Sequence, residues 1–513
     1  MLRYLAQIDL EKALSKWATR LQPHIVTVLI AFVINLLIFG QRLFGGGLAT
    51  DDLARFYFPG GEQASWLGRW FGGLLSQTAF TGPLQILPYL NGLLSILCIT
   101  LAGYFSSVIL SVQKRFPAVL ITLLCSATPF MVHNLYFNTN TSVFVGLVMG
   151  VGGVLLAYQS RWSLKVLGIV LLMCSIGTYQ TIIQITLTLI LFRTILNLTD
   201  VADNKAVFTV LLGGAYMVAF VILAFIGSTI ANWIVTILAN ATTRGGYANS
   251  LEVTSIMTYV DRLVGCYSIQ TGLRFFAEPY SMGIKLFALI GIGTLFLSQR
   301  LFDLKNLISL RGLYFVVFVL SLPVVISLPE IVGREVPTRA HLTIGWMTAC
   351  LFVVTYSHRV WSKNIGLIVS VYLLLFGTLY INVFLYAGQR QTDMDIIRAN
   401  QIVSAIRQHS EYPGEEQPLK LKIVGVKELR VIGWRLWEQS AFATNWSNTK
   451  VFEHFSDLNF VELSEAEYSE IRQSIVDTSG SIHSYPDPSS IIVRDDVVIL
   501  VLDPDELVEP ELP

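Results

Sequence analysis

Ten runs of 18 or more residues, each carrying at most one Asp, Glu, Lys or Arg, divide most of this chain: 24–41, 84–113, 116–134, 141–160, 166–192, 206–243, 281–299, 312–329, 340–357 and 364–389. An α-helix needs about 20 apolar residues to cross a bilayer. The backbone of such a run must satisfy its own hydrogen bonds in lipid, which leaves helices as the expected form. Composition agrees, with 53% hydrophobic and only 14% charged residues and a mean hydropathy of +0.61. The expected fold is an all-α polytopic membrane protein of about eleven transmembrane helices.

The formal net charge of zero hides a division. Residues 1–389 hold 24 Lys+Arg against 13 Asp+Glu, whereas 390–513 hold 11 against 22. A transmembrane domain over 1–389 and a soluble acidic domain over 390–513 follow. The tail pattern is a helix at 396–408, a strand at 419–424 and a hairpin whose arms, 490–493 and 497–502, flank Arg494-Asp495-Asp496. That mixture predicts a small α/β fold. Two Asp-x-Asp triplets, at Asp393 and Asp395 and at Asp503 and Asp505, read as solvated charge. The five cysteines have no paired spacing and suggest neither a disulfide framework nor a zinc site.

The polar lead to Arg20 shows no small-residue cleavage site and reads as an uncleaved first span. Basic turns at Lys114/Arg115, Arg161/Lys165, Arg300/Lys305/Arg311 and Arg359/Lys363 predict a shared cytoplasmic side with the N-terminus. This sidedness requires one extra crossing, in 166–192 or in 206–243. The first is short for two crossings yet holds a turn-like Gly177-Thr178-Tyr179-Gln180, and the sequence leaves the choice open. Either choice places the loop 41–83, the loop 244–280, the segment 330–339 and the tail on the outer face.

In the loop 41–83, Thr50-Asp51-Asp52-Leu53-Ala54-Arg55 could start a helix, with Thr50 or Asp51 as its N-cap and Asp52 pairing with Arg55. The second carboxylate exceeds what a cap needs, and adjacent carboxylates repel, so a functional role is preferred for Asp51 and Asp52. Downstream, Trp66, Leu67, Trp70, Phe71, Leu74 and Leu75 recur at helical spacing. They predict an amphipathic helix in the membrane interface, aromatics toward lipid, with Arg69 at headgroup depth to meet a lipid phosphate.

The order Asp51-Asp52-x-x-Arg55, then Gly68-Arg69-Trp70, then Gly177-Thr178-Tyr179-Gln180 and Gly333-Arg334 resembles the GT-C polyprenyl-phosphate-sugar glycosyltransferases. It looks most like the bacterial GtrII-type glucosyltransferases that decorate O-antigen, over roughly residues 25–390. The resemblance implies a bacterial inner-membrane enzyme with a GT-C-like catalytic domain and a periplasmic active site and tail. A polyprenyl-phosphate sugar, typically glucose, would be transferred with inversion to a hydroxyl of a lipid-linked or surface glycan. Asp51 or Asp52 would be the base. Arg69, Arg334, Arg339 and His341 would hold the donor phosphate. Arg55, Trp70, Tyr179, Gln180, Arg244 and Tyr247 would contact the substrates. Membrane lipids are the other expected partner; no nucleic acid, cofactor or metal is assigned. A transporter or flippase of lipid-linked sugars is the alternative, but it should carry ionisable residues inside its spans. Among the apolar runs only 281–299 holds a charge, Lys285.

Overall fold

The computed structural model describes residues 10–44, 69–76, 88–137, 140–201, 204–238, 274–298, 309, 312, 316, 341–357, 360–414, 417–426, 440–443, 448–456, 458–478 and 482–505. In chain order the membrane part comprises α1 (Leu10–Phe44), α2 (Trp70–Ser76), α3 (Pro88–Ile109), α4 (Arg115–Ser126), α5 (Pro129–Leu135), α6 (Thr141–Ala157), α7 (Trp162–Ile176), α8 (Ile182–Thr199), α9 (Asn204–Leu238), α10 (Arg274–Ser298), α11 (Thr343–Ser357) and α12 (Val360–Gln408). Among the described residues six helices, α1, α3, α8, α9, α10 and α12, are long and apolar enough to cross a membrane. The pair α4 and α5 would make a seventh span, bent by 63°, and α6, α7 and α11 are shorter apolar helices. The run 312–329 lies almost wholly outside the described residues.

The bend between α4 and α5 has a local cause. Pro129 cannot donate a backbone hydrogen bond, and Thr128 is extended, its hydroxyl accepting from Met131 N at 3.2 Å. What reads as one apolar run is thus two helical pieces. The choice left open in the sequence resolves similarly. The 35-residue α9 is unbroken, and the interruption falls at Gly177–Thr181, between α7 and α8. Lys165 lies over the Tyr216 ring and Met173 meets Gly227, so α7 runs parallel to α9. Gly177 lies against Trp70, which bonds Ser228 of α9, while Thr194 meets Gly214, so α8 runs antiparallel to α9. Consequently α7 and α8 form a hairpin turning at Gly177–Thr181.

These pairings put Lys165 and Arg193 at one end of the bundle, where Arg193 Nη1 donates to Ser111 Oγ just before Lys114 and Arg115. The Gly177–Thr181 turn lies at the other end. Some polar side chains inside the bundle are paired across helices: Asn35 Nδ2 donates to Thr100 Oγ1 at 2.9 Å and Ser126 Oγ to Asn35 Oδ1 at 2.8 Å. Trp346 Nε1 donates to Ser106 Oγ at 2.8 Å. Buried polar groups left alone in such an interior would each cost about 1–3 kcal/mol.

α12 is continuous through Gln389, with 49 residues and a length of about 74 Å at 1.5 Å per residue. Its first part packs in the bundle, and Gly388 O accepts from Tyr136 Oη at 3.3 Å. Its last turns present Ala399, Ile402, Val403 and Ile406 to a four-stranded sheet. The sheet comprises β1 (Leu419–Val424), β2 (Phe460–Glu462), β3 (Ile491–Arg494) and β4 (Val497–Val501), with α13 (Asn448–Phe455) and α14 (Glu465–Thr478) between strands. Its order is β2-β1-β4-β3, with β1 parallel to β2 and β4 and β3 antiparallel to β4. Alternation explains β1: Leu419, Leu421 and Ile423 face the α12 core, while Lys420 reaches Glu467 at 3.0 Å and Lys422 lies over the Tyr468 ring. The tight β3–β4 turn holds Asp495 at φ 51°.

Asp395 corrects one expectation, since it is buried, not solvated. Its carboxylate accepts from Ala441 N at 2.8 Å, Gln391 Nε2 at 2.9 Å and Ser440 Oγ at 3.2 Å, joining α12 to the segment before α13.

Candidate functional site

α7 ends at Ile176 with Gly177 as its C-cap, and the turn that follows stays tightly wound: Thr178 Oγ1 donates to Ser175 O at 2.5 Å and Tyr179 N to the same carbonyl at 3.1 Å. Gly177 is required by what docks on it. A Cβ there would collide with the Trp70 indole nitrogen, and a Cβ on Gly146 of α6 would collide with the Thr178 hydroxyl. The turn is therefore pressed between α6 and the segment that begins α2.

The first N–H groups of any helix lack intrahelical acceptors. In α2 they are satisfied by the turn: Phe71 N and Gly72 N both donate to Gly177 O, at 2.9 and 3.0 Å. Trp70 Nε1 donates to Ser228 Oγ of α9 at 3.0 Å. One residue earlier, the Arg69 guanidinium lies 4.8 Å from the centre of the Tyr179 ring. Tyr179 is buried, whereas Arg69 and Gln180 are half-buried. Three segments widely separated in sequence thus converge at the bundle end away from Lys165 and Arg193. A guanidinium over an aromatic ring is held by a cation–π attraction, and guanidinium N–H groups suit two-pronged contact with phosphate oxygens.

Of the residues singled out from sequence, Arg69, Trp70 and Tyr179 come together, with Gln180 adjoining. His341 is buried at the start of α11, its ring 5.9 Å from that of Phe130, and its carbonyl accepts from Ile344 N at 3.2 Å. Asp51, Asp52, Arg55, Arg244, Tyr247, Arg334 and Arg339 lie outside the described residues. Trp70 departs from the expected lipid-facing anchor, because its indole is engaged inside the protein. Helical spacing identifies a face but not what covers it.

Two residues escaped the sequence reading. Ser228 is a small polar residue within a long apolar run, and only its partner gives it meaning. Arg42, buried at the end of α1, donates from Nε to Leu135 O at 2.8 Å, capping the last turn of α5. Its position at the close of the first apolar run was the available signal.

The family model described as Glucosyl transferase GtrII matches residues 42–356. No curated protein and no solved structure matches the chain. The match covers more than half of the chain and includes both motifs that meet at Arg69 and Tyr179, and on that ground the chain belongs to the GtrII glucosyl transferase family.

Proposed function

We propose that the protein is an inverting glucosyltransferase of a bacterial inner membrane, moving glucose from a polyprenyl-phosphate donor to a hydroxyl of a surface glycan such as O-antigen. The observation that carries this reading is the Arg69–Tyr179 stack, held by Trp70 and the Gly177 turn at the bundle end opposite Lys165 and Arg193. Basic turns favour the cytoplasm, so this end, and with it the domain 390–513, faces the periplasm.

The chemistry is a single displacement. The acceptor oxygen attacks the anomeric carbon as the bond from that carbon to the phosphate oxygen breaks. The hydroxyl proton passes to Asp51 or Asp52. The phosphate leaves with the bonding electrons, and Arg69, Arg334, Arg339 and His341 stabilise its charge at headgroup depth. Arg55, Trp70, Tyr179, Gln180, Arg244 and Tyr247 line the substrates.

The test is mass spectrometry of the surface glycan from cells with and without the gene, and with Asp51→Asn or Asp52→Asn. A cap role predicts mild effects, since asparagine caps a helix about as well as aspartate. Loss of a general base slows a reaction by roughly 10²–10⁴-fold, so at least one variant should abolish transfer with membrane expression intact. Near-normal glycan from both variants would refute the assignment of the base.

A further inference from the structure

The bundle end opposite the Arg69–Tyr179 stack carries cations that the protein leaves unmatched. No Asp or Glu occurs between Glu62 and Asp200, while that stretch brings Lys114, Arg115, Arg161, Lys165 and Arg193 to this end. Lys165 is engaged by the Tyr216 ring. Among the described residues none of the other four meets a carboxylate. Arg193 joins them. It lies six residues, about 9 Å, inside the end of α8 at Thr199. Its guanidinium reaches Ser111, which turns the chain from α3 toward α4 at φ 59°. It is also within electrostatic reach of Tyr158, the residue that closes α6. Lys114 and Arg115 follow Ser111 by three and four residues, and Arg161 follows Tyr158 by three, so two basic turns border one arginine.

Lys114, Arg115 and Arg161 are exposed and Arg193 is half-buried. Phe116, Tyr158 and Trp162 beside them are exposed as well, the side chains that settle at headgroup level in a membrane. An arginine set inside the end of a span is costly unless an anion meets it. Ser111 offers only a neutral hydroxyl, which takes one of five N–H donors and none of the charge. Lys114 and Arg161 add to the cost, because they stand at the N-caps of α4 and α7 with no side-chain cap, where the helix dipole opposes a cation. Orientation of the chain requires cations in the loops, but not an arginine drawn into the span between two of them. The phosphate of an anionic phospholipid lies at this depth, carries the missing charge and accepts from several donors at once.

We propose that Arg193, with Lys114, Arg115 and Arg161, forms a binding surface for anionic phospholipid headgroups in the leaflet at this end of the bundle. The surface is remote from Arg69 and Tyr179 and does not depend on the transfer reaction. Its test uses the full-length protein in detergent, titrated with phosphatidylglycerol or with zwitterionic phosphatidylcholine and read by native mass spectrometry. The wild type should retain phosphatidylglycerol in preference to phosphatidylcholine, and less so at high salt. A cation near a phosphate contributes about fivefold, so Arg193→Gln should weaken phosphatidylglycerol retention about fivefold and Lys114→Gln with Arg161→Gln about 25-fold. Phosphatidylcholine retention should not change, and Arg193→Lys should keep part of the preference. Lys363→Gln removes a cation of another basic turn, one that rests on the Tyr356 ring, and should change nothing. If Arg193→Gln fails to accumulate, the exposed Lys114 and Arg161 pair carries the measurement. Equal retention of the two lipids by the wild type, or an equal loss from Lys363→Gln, would overturn the proposal, and the cations would then serve only to orient the chain.

Discussion

Arg69 and Tyr179 stand 110 positions apart, yet the guanidinium of one rests 4.8 Å from the ring centre of the other. Each sits in a short motif of its own, and the two motifs also share the Gly177 carbonyl, which accepts both first-turn N–H groups of α2. The guanidinium is therefore held from two sides: by its neighbour Trp70 and by the ring beneath it.

That stack makes Arg69 and Tyr179 energetically dependent. Tyr179→Phe keeps the ring and should retain most transfer activity. Tyr179→Leu should lower it by about 2- to 30-fold, the value of a cation–π contact of roughly 0.5–2 kcal/mol. Arg69→Lys should cost more, because an ammonium does not stack or bind in two prongs. Transfer rates in membranes for single and double variants should be non-additive. Additive losses would mean that the contact is incidental.

Gly177→Ala should destabilise the protein by about 1–3 kcal/mol, the range for overpacking a tight contact, since the new methyl would meet the Trp70 indole. Trp70→Leu in the same chain should recover part of that loss, although it forfeits the bond to Ser228. Thermal unfolding in detergent would report both. A fully stable Gly177→Ala would show that Trp70 does not need this seat.

Asp395 sets a pH dependence on the joint between α12 and the sheet. Burial pushes its carboxyl up to about 6 from 3.8, against the opposing pull of Ala441 N, Gln391, Ser440 and Arg398. The folded state then binds the proton more tightly than the unfolded state. Stability is highest below pH 3.8 as far as this group is concerned, falls as pH rises from 3.8 to about 6, and is level above. The total is about 3 kcal/mol. Asp395→Asn should remove that slope, which hydrogen exchange of the Ser440–Ala443 segment between pH 4 and 7 would measure.

A fragment beginning at residue 390 should fold and be soluble, because it retains the α12 turns carrying Ala399, Ile402, Val403 and Ile406. A fragment beginning at residue 410 should not, since Leu419, Leu421, Ile423, Val498 and Leu500 would lose their cover. Circular dichroism and denaturant unfolding of the two would settle the comparison, and a cooperative transition from the shorter one would be contrary to expectation.

The sequence alone determined the elements whose cause is local. The charge-free runs are helical wherever they are described, because a backbone in lipid must close its own hydrogen bonds. Strict alternation at 419–424 became β1 with its lysines on one face. The turn residues of Gly177–Gln180 interrupted a run at the place where their chemistry predicts. Tertiary structure decided what each surface meets. Trp70 reads as lipid-facing and Asp395 as solvated, yet packing engages the Trp70 indole with Ser228 and buries the Asp395 carboxylate against Ala441. The passage of α12 through Gln389, with Tyr136 on one part and the sheet on the other, was likewise a matter of which neighbours were at hand. Periodicity specifies a face, but the partner of that face is set by contacts between residues far apart in the chain, and no window of sequence contains both.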